Sequence, residues 1–256
     1  MEYETICLLG TNCGLEDPDD VARMNEIAND LGVDSIELGA TIAVLMDAGK
    51  GGFGDVAFMK EVTSEMMAGS EIGKFYASGT ARVGENLNFK RVPVIKKQAI
   101  SAYDPRLIEV TGISMMVTAQ GADHTVGNNA TFKCDNKNIE ELVAESLRMQ
   151  INAAVADSLG LCVFGRSVTD ENLELISNAI NDAFDAGVTP DFIRNIGRET
   201  LRLEAAFNNA AGFDEEDDEL PSFFLEEPLP PTDKIARLRS SEVNAAMQNL
   251  LDAHSG

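Results

Sequence analysis

The chain has 256 residues, enough for one large domain or two smaller ones. Its 43 acidic residues outnumber its 20 Lys and Arg residues and give a formal net charge of −23, so nucleic acids and anionic membranes are poor partners. Hydrophobic residues make up 44% of the chain, yet no run approaches the ~18 apolar residues of a membrane span, and we expect neither general disorder nor membrane insertion. The first residues also lack the basic and apolar segments of a secretory signal.

Helix-capping signals predict most of the first half of the chain. The signals are capping Asp residues, Pro at the first helical position and Gly after the last turn. The predicted elements are a helix from Asp17-Pro18 to Gly32, a helix from Asp34 (with Glu37 as a capping box) to about Gly49, a glycine-rich loop over 49–54, a helix over 69–84, and short strands over 91–95 and 113–118.

The same signals continue through the second half. The predicted elements are a long helix from Asn138 (with Glu141) to Gly160, a helix capped by Thr169 and ending near Gly187, a helix from Thr189-Pro190 to near Gly212, an extended acidic and proline-rich surface segment over 213–232, and a last amphipathic helix over 233–252. The sequence thus predicts a mainly α, multihelical fold with a few short strands. A boundary near Tyr103-Asp-Pro-Arg106 divides it into two helical domains, 1–107 and 108–256.

Two helix ends share a sequence motif. Asn29–Asp34 and Asp157–Cys162 both read [N/D]-x-x-G-[L/V]-[D/C]. One interpretation is a pair of ordinary helix ends, in which Gly adopts a positive φ and the next apolar residue packs back on the helix. The other is that both turns present an amide or carboxylate, with backbone groups, to a planar ligand rich in N–H donors. In that case the second turn directs Cys162 out of the fold.

A histidine lies in a glycine-containing segment that runs from Gln120 to Asn128. His124 is one of two histidines in the chain, and the other, His254, is near the C-terminus. A histidine beside an aspartate is often a satisfied polar group. The alternative is a loop histidine that moves protons, with Asp123 fixing its tautomer.

The cysteine content favours a reducing environment. Four cysteines are too few and too scattered for a disulfide scaffold, and we expect a cytoplasmic protein with free thiols; they are Cys7, Cys13, Cys134 and Cys162.

With these motifs the sequence resembles the aldehyde ferredoxin oxidoreductase family of tungsten-pterin enzymes, over the C-terminal helical domains of that family. About 230 residues match in the right order, and the D-x-x-G-L-C turn is the most specific part. The matching segments are Glu2-Tyr-Glu4, Leu8-Leu-Gly-Thr-Asn12, the 29–34 turn, Ser35-Ile-Glu-Leu-Gly39, Ala102-Tyr-Asp-Pro-Arg106, Gly121-Ala-Asp-His124, the 157–162 turn and the tail from Leu220-Pro to Glu227-Pro-Leu-Pro230.

The resemblance implies cofactors and roles for particular residues. In the family, two such turns hold the two pterin dithiolene ligands of one tungsten, occasionally molybdenum. The implied cofactor-binding residues here are Asn29, Val33, Asp34, Asp157 and Leu161. Cys162 is the implied ligand of a [4Fe-4S] cluster. His124 and Glu4, with Glu2 as the alternative to Glu4, are implied to lie near the metal and to transfer protons.

The sequence also departs from the family. A [4Fe-4S] cluster needs about four thiolates, and the family's other three cysteines and its pterin-binding β domain have no counterpart here. The spacing of Cys7 and Cys13 does not suit a cluster, and Asn29 replaces the usual Asp. The resemblance therefore implies a split enzyme, in which a second subunit brings the β domain and three cluster cysteines.

The activity implied by the resemblance is interconversion of small aldehydes and carboxylic acids, with electrons passed to ferredoxin or another carrier. Because the chain is so acidic, we expect an acidic ferredoxin to dock on the partner subunit. Two alternatives stay open: a family member that reduces another substrate, such as an aromatic acyl-CoA, and a cofactor-free helical scaffold subunit. The combined presence of Asp157, Cys162 and His124 argues against the scaffold.

Overall fold

A computed structural model describes residues 1–253, without the side chains of residues 166, 167, 252 and 253. His254 lies outside the described residues. The fold is mainly helical and multihelical, as predicted, and the described residues contain two short strands. The elements are α1 (Tyr3–Thr5), α2 (Pro18–Leu31), α3 (Ser35–Asp47), α4 (Val56–Ala68), α5 (Glu71–Tyr76), α6 (Thr80–Asn86), β1 (Val94–Ile95), β2 (Gln98–Ala99), α7 (Glu109–Val117), α8 (Ile139–Ser158), α9 (Arg166–Thr169), α10 (Leu173–Phe184), α11 (Pro190–Ala211), α12 (Ser222–Glu226) and α13 (Ser240–Ala253). A π-helical segment covers Ile6–Gly10, and 3-10 turns cover Thr11–Cys13, Val163–Gly165 and Glu215–Asp218.

The chain divides into two compact units. The first contains Met1–Tyr103 and the later segment Leu220–Pro228; the second contains Asp104–Glu219 and the residues from Leu229 onward. The segment Leu220–Pro228 joins the first unit through Arg91. The Arg91 Nε donates to Glu227 Oε2 at 2.9 Å, and its guanidinium lies 4.9 Å from the centre of the Phe223 ring.

The first unit is built around α3, which is apolar on nearly all sides and therefore buried. Its residues join those of α2 and α4 in one hydrophobic core. At Gly39 the π-helical segment touches the α3 backbone directly, because a Cβ there would lie 2.4 Å from the carbonyl oxygen of Leu8. A glycine is therefore required at this crossing.

Several predicted elements of residues 1–118 are wrong or incomplete. The predicted helix over 69–84 is two helices, α5 and α6, divided at Gly79, whose φ is +91°. The strand predicted over 91–95 shortens to β1, which pairs antiparallel with β2. The strand predicted over 113–118 belongs instead to α7, which is buried along most of its length. Helix α4 was not predicted.

The second unit is centred on α8, which packs against α7, α11 and α13. Gly197 of α11 allows the closest approach, because a Cβ there would lie 2.4 Å from the carbonyl oxygen of Ile151. A buried polar chain links α7 to α8: Ser114 Oγ lies 2.8 Å from Ser146 Oγ, which accepts a hydrogen bond from Gln150. Ser114 also donates to the carbonyl of Gly127 at 3.0 Å and so fixes the segment that follows His124.

Three predictions for the C-terminal half need correction. Thr169 does not cap a helix; its Oγ1 donates to Gly165 O, and α10 begins after Asn172. The segment 213–232 is not simply extended, because it contains a 3-10 turn and α12 and buries Leu220, Phe223 and Phe224. The last helix begins at Ser240 and not near residue 233.

Among the described helices, none combines the length and apolarity that crossing a membrane requires.

Candidate functional site

The two copies of the repeated motif form the same backbone turn. In the first, Val33 N donates to Ala28 O at 3.1 Å and Gly32 N donates to Asn29 O at 3.1 Å. In the second, Leu161 N donates to Ala156 O at 2.7 Å and Gly160 N donates to Asp157 O at 3.1 Å. Gly32 and Gly160 have φ values of +69° and +66°. Both turns are thus Schellman helix ends, in which a glycine in the left-handed region reverses the chain.

The first turn leads directly into α3. Asp34 is the N-cap of that helix, and its carboxylate accepts a hydrogen bond from Glu37 N at 2.7 Å. Val33 is half-buried against the core of the first unit. The Asn29 side chain is exposed, and it forms no hydrogen bond with the described residues. Its amide is therefore available to a ligand, whereas the Asp34 carboxylate already has a structural role.

The second turn carries an exposed carboxylate and an exposed thiol. Asp157 and Cys162 are both exposed, and Leu161 is half-buried. The Cys162 carbonyl accepts a hydrogen bond from Gly165 N at 2.8 Å, which starts the 3-10 turn Val163–Gly165. The next aromatic residue, Phe164, is 95% exposed. The turn thus presents polar and apolar groups together at the surface of the second unit.

A second carboxylate lies close to Asp157. Partial burial and the negative charge of Asp157 both raise the pKa of Glu204, which lies on α11. Asn208, one helical turn further along α11, donates to Ala119 O at 2.9 Å. Helix α11 therefore contacts both the second turn and the start of the segment that contains His124. The sequence offered only the four-residue spacing of Glu204 and Asn208 as a signal, and neither residue was predicted.

A closely similar turn, with Phe213 in place of the Leu or Val of the motif, occurs a third time, and sequence reasoning missed it. Asn209–Asp214 reads N-A-A-G-F-D, and Phe213 N donates to Asn208 O at 3.1 Å while Gly212 N donates to Asn209 O at 3.2 Å. Asp214 caps the following 3-10 turn by accepting from Glu216 N. In the first and third copies the sixth residue is thus an Asp that caps a helix. Cysteine is a poor N-cap, so capping explains Asp34 and Asp214 but not Cys162.

Glu4 is buried, with 4% of its surface exposed, whereas Glu2 is exposed. The Glu4 Oε2 accepts a hydrogen bond from Ala102 N at 2.8 Å, and the Tyr3 hydroxyl donates to Ala102 O at 3.0 Å. Thr5 Oγ1 lies 2.8 Å from Ser35 Oγ, directly after Asp34. The structure therefore brings Glu4 close to the first turn within the first unit.

His124 lies in an irregular segment of the second unit and is partly exposed. Its Nδ1 is 3.7 Å from Asp123 Oδ1, and the same carboxylate oxygen accepts a hydrogen bond from Thr125 N at 2.7 Å. The hydrogen bond fixes the Asp123 carboxylate beside the His124 imidazole.

The four thiols are in different environments. All are free, with Cys162 exposed, Cys7 half-buried, and Cys13 and Cys134 buried. Burial raises the pKa of Cys13 to about 12, and its thiol donates to the carbonyls of Leu8 and Gly39. Among the described residues no three His, Cys, Asp or Glu side chains are grouped so as to hold a metal. Cys162 is the one exposed thiol among the described residues.

Glu37, which the sequence suggested as half of a capping box, has a different role. Its Oε1 accepts from Thr80 N at 2.6 Å and its Oε2 accepts from Ala99 N at 2.9 Å. Since these partners lie far along the chain, no local pattern could have revealed them. The carboxylate joins α3 to the start of α6 and to β2, beside the strand that leads to Ala102.

Comparison with known proteins identifies a family model and several relatives to which the chain is similar. The family model described as "Aldehyde ferredoxin oxidoreductase, domains 2 & 3" matches residues 1–253. The chain is 29% identical over 257 residues to a tungsten-containing aldehyde ferredoxin oxidoreductase of Pyrococcus horikoshii, and 27% identical over 255 residues to a protein of the same name from Pyrococcus furiosus. Both matches cover 90% of this chain and 42% of the relative.

A further relative carries a different name. The chain is 25% identical over 257 residues to the "Aliphatic sulfonate oxidoreductase, WOR-like subunit" of Pyrococcus furiosus, a match that covers 90% of this chain and 38% of that protein. The chain thus spans less than half the length of each of these curated relatives.

Proposed function

Since the chain belongs to the aldehyde ferredoxin oxidoreductase family, we propose that it is the helical, pterin-binding part of a tungsten-pterin, iron-sulfur oxidoreductase. The proposed reaction interconverts aldehydes and carboxylic acids, with electrons passed to a ferredoxin-type carrier. The observation that carries this proposal is the pair of matching turns, which offer exposed Asn29 and Asp157 side chains from equivalent backbone positions.

The donor set of the turns suits a pterin. Pterin rings present several N–H groups at their edge, and an exposed amide or carboxylate oxygen beside a helix end can accept hydrogen bonds from them. Asn29 and Asp157 would provide that oxygen, while Val33 and Leu161 would hold the turns against their helices. Asp34, already engaged in capping α3, would fix the shape of the first turn. When bound, the tungsten-pterin group supplies the change of oxidation state that the reaction requires.

We assign Cys162 as one ligand of a [4Fe-4S] cluster. Its exposure leaves the sulfur accessible to a group outside this unit, and its place in the motif has no capping explanation. A cluster needs about four thiolates, and burial keeps Cys13 protonated. We place three further cysteines, together with the β domain that completes the pterin site, on a second subunit of a hetero-oligomer, which the name of the WOR-like subunit among the relatives supports.

Glu4 and His124 are the proposed proton-transfer residues. Glu4 is buried beside the first turn and is fixed by Ala102 N, which favours one orientation of the carboxylate. His124 lies beside the Asp123 carboxylate, and imidazole is the side-chain group most often used for proton transfer in enzymes. Both would hold or move a proton near the substrate oxygen. Glu2 is the weaker candidate because its side chain is exposed.

The partners and the location follow from charge and thiols. A net charge of −23 opposes direct docking of an acidic ferredoxin, so we place that contact on the second subunit. The four free thiols suit a reducing cytoplasm.

A second candidate function is oxidation or reduction of another substrate on the same cofactors. The relative named as a WOR-like subunit of an aliphatic sulfonate oxidoreductase favours this alternative, and its name also supports a multi-subunit assembly. An activity assay of the assembled enzyme, with an aldehyde and with an aliphatic sulfonate as substrates, distinguishes the two functions by which substrate is turned over.

Pterin content tests the role of the turns. The native complex would be purified with Asp157→Ala and with Asn209→Ala, the matched change in the third turn, and its pterin measured by fluorescence after oxidative release. Pterin should fall for Asp157→Ala and stay unchanged for Asn209→Ala. Equal pterin content in the two variants would contradict the assignment.

A further inference from the structure

An open groove in the second unit lies between three helices and has a volume of about 300 Å³. Its walls come from α8, α11 and α13. The residues that line it are Ala144, Leu147, Arg148, Ile151, Asn152, Arg194, Arg198, Leu250 and Leu251. A space of this size lies at the lower end of small-molecule pockets, which are about 300–1,000 Å³ and mostly apolar with a few polar groups.

The charge of the groove is opposite to that of the chain. The whole chain carries −23, yet three arginines line the groove and no acidic side chain does so among its described lining residues. Two of the arginines have carboxylate partners outside the lining: Arg148 pairs with Glu145 at 2.7 Å and Arg194 pairs with Asp191 at 3.1 Å. These pairs hold the two guanidinium groups in place at the groove.

The third arginine keeps its charge uncompensated. Arg198 Nη1 donates to the neutral Asn195 Oδ1 at 3.0 Å, and Arg198 forms no ion pair within the described part of the chain. It lies one helical turn from Arg194 on the same face of α11. A planar guanidinium with spare N–H groups binds carboxylates in a bidentate manner.

The apolar part of the groove is equally well defined. Leu147 and Ile151, four residues apart on α8, face the groove together, and Leu250 and Leu251 of α13 close it from another side. From this combination we infer that the groove binds a small amphipathic carboxylate, with the carboxylate on Arg198 and Arg194 and the alkyl chain along the leucine and isoleucine wall. None of the described lining residues of the groove belongs to the two turns, although Ile151 and Arg194 also line the adjoining pocket that Leu161 contacts. The inference does not depend on the proposed redox function.

The direct test is calorimetric titration of the full chain with octanoate. We expect saturable binding at one site, and a loss of affinity of about tenfold or more in Arg198→Gln, because a hydrogen bond to a charged group contributes about 1.5–3 kcal/mol. Arg23→Gln is the matched control. Arg23 is an exposed helical arginine that contacts Asp20 three residues earlier, just as Arg198 contacts Asn195 three residues earlier. Its affinity should equal that of the unchanged chain.

Ligand variation tests the two halves of the site. From butanoate to octanoate, affinity should rise about fourfold for each buried methylene group. Octan-1-ol should bind much more weakly than octanoate, and inorganic sulfate should compete only weakly. The inference is overturned if octanoate shows no saturable binding up to about 10 mM, if Arg198→Gln leaves its affinity unchanged, or if octan-1-ol or sulfate binds as tightly.

Discussion

The Glu4 carboxylate accepts a hydrogen bond from the backbone N–H of Ala102 at 2.8 Å, although the two residues are 98 positions apart in the chain. The neighbouring Tyr3 hydroxyl donates to the carbonyl of the same alanine. Two adjacent side chains thus hold both polar backbone groups of one residue. The resemblance marked Glu4 for proton transfer, and the structure adds that Glu4 also fixes the segment around residue 102.

Substitutions of Glu4 distinguish its structural role from its proposed role in proton transfer. Glu4→Ala should lower the free energy of unfolding by about 1–3 kcal/mol, because the Ala102 N–H loses its acceptor. Glu4→Gln keeps an acceptor oxygen and should cost less than about 1 kcal/mol, and Glu2→Ala, at an exposed position, less than about 0.5 kcal/mol. Urea denaturation measures all three. Equal losses for Glu4→Ala and Glu4→Gln would contradict the structural role.

Gly32 and Gly160 are required because of their positive φ values and not because a side chain would lack room. A Cβ at Gly32 or Gly160 would contact nothing within 4 Å, yet both residues have positive φ. Gly32→Ala and Gly160→Ala should each destabilise the chain by about 1–2 kcal/mol. The matched controls are Gly52→Ala and Gly165→Ala, which also add a Cβ in open space but without positive φ. Thermal unfolding measures the four variants. Equal loss of stability in the turn variants and in the control variants would refute this account of the turns.

Local signals predicted the helix ends, and they did so because capping is a local interaction. Asp17, Asn138 and Thr189 cap helices as predicted, and Gly212 ends one. The strand predicted over 113–118 was wrong because a short, buried apolar run is compatible with either a strand or a buried helix. The prediction that 213–232 is an extended surface segment was wrong. Its many acidic residues and prolines indicated exposure, although Phe223 and Phe224 within it are buried.

The sequence predicted the two turns of the candidate site, but it did not predict the long-range contacts that surround them. The sequence motif predicted that Gly32 and Gly160 end helices, which is confirmed. The proximity of Glu204 to Asp157 depends on how α11 packs against α8, and the two partners of Glu37 lie 43 and 62 residues away. The roles of Asn29, Asp157, His124 and Cys162 toward cofactors stay predictions.

Glu37 should be sensitive to amide substitution. Both of its carboxylate oxygens accept backbone N–H groups, from Thr80 and from Ala99. In Glu37→Gln the amide nitrogen faces one of these donors, so we expect a loss of about 1–3 kcal/mol in the free energy of unfolding. Glu61→Gln, at an exposed position of α4, serves as the control and should change it by less than about 0.5 kcal/mol. A neutral Glu37→Gln would show that the paired hydrogen bonds do not stabilise the unit.

The buried thiol of Cys13 should make stability fall in alkaline solution. Burial raises its pKa from 9.0 to about 12, so the native state keeps the proton while the unfolded state loses it. This stabilisation is complete below pH 9.0 and is lost progressively between pH 9.0 and about 12, by about 1 kcal/mol per pH unit at first. Denaturation of the unchanged chain and of Cys13→Ala at pH 8 and pH 10 measures the difference.

The control for Cys13 is Val62→Ala, which also trims a buried side chain of the same core but removes no titratable group. Val62→Ala should lower stability by a similar amount at both pH values and keep the alkaline loss. Cys13→Ala should reduce the alkaline loss. If both variants lose stability with pH as the unchanged chain does, Cys13 is not its source.

The measurement that tests the central claim most directly is metal and iron analysis of this chain purified with the proteins that accompany it. The account predicts one tungsten, or molybdenum, and about four iron atoms per chain in the complex, with the cluster's electron paramagnetic resonance signal altered by Cys162→Ser. A folded chain that purifies without metal, iron or partner, or a cluster signal unchanged by Cys162→Ser, would contradict it.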